Sequence, residues 1–181
     1  MKQKMCLSLP IKTRKRFLKE VGLRLRDIHL KNWIHLDIKL DNVFVNCPEG
    51  QLGKGVGKPS EVFSFALLCL YVITGAQCFH PDFETLEVEP NLVILFKLLS
   101  TFGPLPDALV AHIDASEAEV LLKALWQAIA EDESNEAFEQ WSQDIYPNLE
   151  HDAKRLILRM TNLDPAKGAS MSDIVMDPYW D

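Results

Sequence analysis

The stretch that decides the fold is residues 60–75, SEVFSFALLCLYVITG. Between Glu61 and Thr74, apolar side chains occupy almost every side of a helical projection, which is typical of a helix surrounded by other elements. Ser60 is a favourable N-cap, and Gly75 can take the left-handed backbone conformation that ends a helix. The sequence therefore predicts a buried central helix over residues 60–74.

The remainder of the chain is also predicted to be mainly helical. Over residues 11–30, Phe17, Val21, Leu25 and Ile28 recur at helical spacing, and Asn32 can end that helix. We expect the basic residues of this helix to form a solvated face; they are Lys12, Arg14, Lys15, Arg16 and Lys19. Further helices are predicted over residues 91–100, 116–130, 135–145 and 150–160, and Ser170 with Asp173 opens a last short helix.

A polar loop, residues 35–42 (HLDIKLDN), lies between two short β-prone runs, Trp33-Ile34 and Val43-Phe44-Val45. This pattern predicts a small β-hairpin platform that presents the loop. The loop carries a carboxylate, an ammonium, an amide and an imidazole, which are groups that phosphoryl transfer requires. Two other interpretations are a plain polar turn and a metal site from His35, Asp37 and Asp41, although the spacing suggests no further ligand.

Charge and cysteine content limit the classes of partner and compartment. A net charge of −7 and a pI near 5.2 argue against nucleic acid as the main partner. The longest apolar run is too short to span a bilayer, so no membrane association is expected. The cysteines show no paired spacing, and Cys69 is expected to be a small buried thiol. We therefore expect a soluble intracellular protein, cytoplasmic or nuclear, with a protein substrate or protein partner.

The loop motif, His-x-Asp-Ile-Lys-x-Asp-Asn followed by Val-Phe-Val, resembles the catalytic loop of eukaryotic Ser/Thr protein kinases. Residues 11–30 resemble the helix that precedes this loop, and residues 58–66 (KPSEVFSFA) resemble the start of the family's buried central helix. Residues 153–160 with Leu163-Asp164-Pro165, and the ending Asp177-Pro178-Tyr179-Trp180, resemble the family's last helices. The resemblance implies that residues 1–181 form a truncated kinase domain, the helical C-terminal lobe, with the catalytic loop at 35–42.

The resemblance also implies a role for each loop residue. Asp37 would be the catalytic aspartate, Lys39 would contact the γ-phosphate, and Asn42 would bind Mg²⁺. His35 would pack beneath the loop, and Glu61 would support it from the central helix. ATP and Mg²⁺ are the implied cofactors, and Ser or Thr of a protein substrate would be the acceptor.

Several parts of the family pattern are missing. The family's N-terminal lobe is absent, and no Asp-Phe-Gly or Ala-Pro-Glu motif follows Asn42. Without the Asp-Phe-Gly aspartate, Asn42 alone is a poor Mg²⁺ site. Gly53, Gly55 and Gly57 follow the catalytic loop, so they do not form the family's nucleotide loop. Gly168 replaces the arginine that pairs with the Ala-Pro-Glu glutamate. We therefore expect no catalysis by this chain, with two alternatives: a pseudokinase-like binding module, or an incomplete gene product that has lost one contiguous block.

Overall fold

The computed structural model describes residues 8–35, 38, 57–76, 89–113, 116–164 and 166–181. These residues are mainly helical, as predicted, and they contain no β-strand. The α-helices are α1 (Ile11–Leu30), α2 (Lys58–Thr74), α3 (Pro90–Phe102), α4 (Asp107–Ile113), α5 (Ser116–Glu131), α6 (His151–Met160) and α7 (Met171–Val175). Two 3₁₀ helices, Phe138–Gln140 and Pro178–Trp180, complete the described structure.

Helix α2 is the buried central helix that its composition predicts. It contacts α1 on one side and α6 on another. Its side chains Phe65, Leu70 and Ile73 are essentially inaccessible to solvent. Gly75 ends the helix with a φ of 78°, which is the left-handed conformation expected of it. The predicted N-cap is wrong: Gly57 caps the helix, and the Ser60 hydroxyl accepts a hydrogen bond from the Gly57 N–H at 3.2 Å.

Helix α1 has the predicted length, but its buried side is displaced from the predicted one. The buried residues are Leu18, Gly22, Leu25 and His29, whereas Phe17 is 52% exposed. Gly22 allows a close approach to α7, since a Cβ at this position would lie 3.1 Å from Val175 Cγ1. Asn32, with a φ of 60°, follows the end of the helix as predicted.

The expectation of a solvated basic face on α1 is wrong for three of its five residues. Arg14 donates hydrogen bonds to the carbonyl oxygens of Val72 at 3.0 Å and Ile73 at 3.3 Å, near the C-terminal end of α2. A cation is favourable there because helix carbonyls carry partial negative charge at that end. Lys15 lies 4.1 Å from the centre of the Tyr179 ring, and Lys19 forms an ion pair with Asp181. These contacts fasten α1 to α2 and to the C-terminal residues.

The predicted helix over residues 135–145 is wrong. That segment contains the 3₁₀ helix Phe138–Gln140 followed by turns, and its aromatic side chains pack against one another. Phe138 contacts Phe102 and Trp141, and Trp141 stacks on Tyr146 with ring centres 4.8 Å apart. Helix α4 was not predicted, whereas α3, α5, α6 and α7 lie within a few residues of their predicted positions.

The β-hairpin platform is not observed where the structure can be compared with it. Trp33 and Ile34 are described and are not in a strand, and Trp33 is 68% exposed. The other predicted strand, Val43-Phe44-Val45, lies outside the described residues. In the described part of the chain, no helix has the length and apolarity that crossing a membrane requires.

Candidate functional site

The candidate site is organised by the end of α1 and the start of α2. The chain leaves α1 at Lys31 and enters α2 through Gly57, and two contacts join these points. On the surface, the Lys58 Nζ donates a hydrogen bond to the Asn32 side-chain oxygen at 2.8 Å. In the interior, His29 Nε2 and Glu61 Oε2 are 2.7 Å apart. The two contacts therefore join the described residues that flank the segment with the kinase-like loop motif.

The His29–Glu61 contact is the buried part of this arrangement. The side chains are only 9% and 6% exposed, so water does little to screen the interaction between them. The separation of 2.7 Å requires a hydrogen between the two atoms, and Nε2–H donates to the carboxylate when Glu61 is ionised. Removing one member would leave the other buried without its hydrogen-bonding partner, which typically costs about 1–3 kcal/mol, and more when the group left behind is charged.

The predicted catalytic residues Asp37 and Lys39 and the predicted metal ligand Asn42 lie outside the described residues. His35 is described, and its side chain is exposed, which differs from the packed position that the resemblance implies. Glu61 is buried at the start of α2, on the helix from which the resemblance expects it to support the loop. Ile38 is half-buried and packs against the hydrophobic core.

Sequence reasoning missed His29. It lies in the helix that precedes the loop motif and continues the buried spacing of Leu18, Gly22 and Leu25. A histidine on the buried side of a helix needs a hydrogen-bonding partner, and the carboxylate of Glu61 supplies it. The sequence did not show which face of α1 is buried, and it is the face that carries His29.

A second polar centre lies near the C-terminus and involves Asp177. Its side chain is fully inaccessible and accepts two hydrogen bonds from Arg155, at 2.7 and 2.8 Å, and one from Arg159. The Tyr179 N–H also donates to it at 3.0 Å. Hydrogen bonding from Arg155 is the main cause that holds the pKa of Asp177 below its usual range. Because the Asp177 oxygens are occupied in joining α6 to the C-terminal 3₁₀ helix, we assign this centre a structural role.

Two other observations limit the chemistry of the described residues. No group of three or more His, Cys, Asp or Glu side chains within them could hold a metal ion. Cys69 is buried as predicted, and burial raises the pKa of its thiol far above the ordinary value, so the nucleophilic thiolate is disfavoured.

Comparison of the chain with models of protein families gave no match, and comparison with curated proteins gave none either.

Proposed function

We propose that this chain is a C-terminal lobe of the eukaryotic Ser/Thr protein kinase type that does not itself transfer phosphate. The observation that carries the proposal is the His29–Glu61 contact beside the Lys58–Asn32 contact. Together they join the end of α1, which precedes the catalytic-loop motif, to the start of the buried central helix that follows it. A catalytic loop requires such support because its groups must be positioned before reaction.

Two further features support this assignment. The central helix α2 is buried along its length and ends at Gly75, as the resemblance to the family's central helix requires. The last part of the chain, α6 to the Pro178–Trp180 3₁₀ helix, has the order of elements that the resemblance implies for the family's C-terminal end. Neither feature depends on the residues of the loop itself.

Loss of catalysis follows from the segment between Asn42 and Lys58. In the family, an Asp-Phe-Gly aspartate after the catalytic loop binds Mg²⁺, and this segment contains no such motif. Mg²⁺ prefers several oxygen ligands around one ion, which Asn42 alone does not provide. Phosphoryl transfer depends almost entirely on positioning and electrostatic stabilisation, so removal of this ligand removes most of the rate enhancement.

The experiment compares the purified chain with its Asp37→Ala variant, using radiolabelled ATP, Mg²⁺ and a mixture of protein acceptors. We expect the same background phosphate incorporation from both proteins. Incorporation that depends on Mg²⁺ and is abolished by Asp37→Ala would show instead that the chain is an active kinase.

A second candidate is a binding module, and two exposed apolar side chains beside the site favour it. Leu30 is 71% exposed and Trp33 is 68% exposed, at the end of α1 where the loop segment begins. Protein interfaces commonly expose apolar side chains before the partner binds. This candidate predicts that Leu30→Ser with Trp33→Ser weakens association with a protein partner, whereas Asp37→Ala leaves association unchanged.

A further inference from the structure

We draw no further inference here: the strongest candidate, the open groove along α6 that is lined by Lys154, Arg155 and Arg159, carries nothing because all three cations are already held by hydrogen bonds to carboxylate or carbonyl oxygens of this chain, and nothing in the structure shows what covers the groove.

Discussion

Replacing Asp177 with asparagine tests how the C-terminal residues are held. The substitution keeps the shape of the side chain but removes the charge that accepts bonds from Arg155 and Arg159. Loss of an intact buried pair would cost about 3–5 kcal/mol, but the two arginines are 35% and 40% exposed and recover part of their hydration. We therefore expect the free energy of unfolding to fall by about 2 kcal/mol, equivalent to roughly 4–8 °C in melting temperature for a chain of this length.

Urea denaturation followed by tryptophan fluorescence measures this change. Asp152→Asn is the matched control, because Asp152 also contacts Arg155 but is 62% exposed, and its effect should be within experimental error. The pH dependence gives a second check. The pKa of Asp177 is lowered in the folded state, so its stabilisation is fully present above the unfolded value of about 3.9 and is lost as pH falls through the folded value. An Asp177→Asn variant as stable as the native protein, or one that loses as much stability on acidification, would refute this reasoning.

Two further substitutions test packing. Gly103→Ala should destabilise the protein by about 1–3 kcal/mol, because the new Cβ would lie 2.5 Å from the Trp126 ring and 2.7 Å from the Leu99 carbonyl oxygen. Gly57→Ala changes the N-cap of α2, but its Cβ would meet only Pro59 at 3.7 Å, so it should cost less than Gly103→Ala; equal unfolding midpoints for the two variants would contradict the steric argument. Tyr179→Phe should be neutral or stabilising by up to about 1 kcal/mol, because the buried Tyr179 hydroxyl has no hydrogen-bonding partner among the described residues. A clear loss of stability in thermal unfolding would show that the hydroxyl has a bound partner in solution.

Local rules predicted several helix ends correctly, although the predicted Ser60 N-cap of α2 is wrong. Gly75 ends α2, Asn32 follows the end of α1, and the Ser170 hydroxyl accepts from the Asp173 N–H at the start of α7, all as expected. In each case the determining interaction lies within a few residues of the chain. The burial of α2 was also predictable from local sequence, because the helix's own side chains are apolar on nearly every side.

Features that depend on distant contacts were not predictable. The apolar residues of α1 are compatible with either of two neighbouring faces of the helix being buried. Packing against α2 and α7 buries the face with Leu18 and leaves Phe17 exposed. Arg14 was expected in water because nothing near it in sequence shows that the carbonyls of Val72 and Ile73 lie within reach. The segment from Phe138 to Tyr146 was predicted as helix, but aromatic packing holds it in turns.

The candidate site was predictable only in part. Glu61 was selected from the kinase-like pattern, whereas its partner His29 became evident only from the packing of α1 on α2. Asp37, Lys39 and Asn42 remain predictions, because they lie outside the described residues. The chemistry of the loop is therefore what the resemblance implies, and the structure describes the helices that come before and after it.

One buried contact, His29–Glu61, fixes the end of α1 to the start of α2. This claim is tested by a double-mutant cycle with His29→Ala, Glu61→Ala and the double variant, measured by urea unfolding. We predict a coupling free energy of about 1–3 kcal/mol, with the exposed Lys123–Glu119 pair giving a much smaller coupling as the control. Additive effects at His29 and Glu61, within about 0.5 kcal/mol, would contradict the claim and remove the main support for a kinase-type lobe.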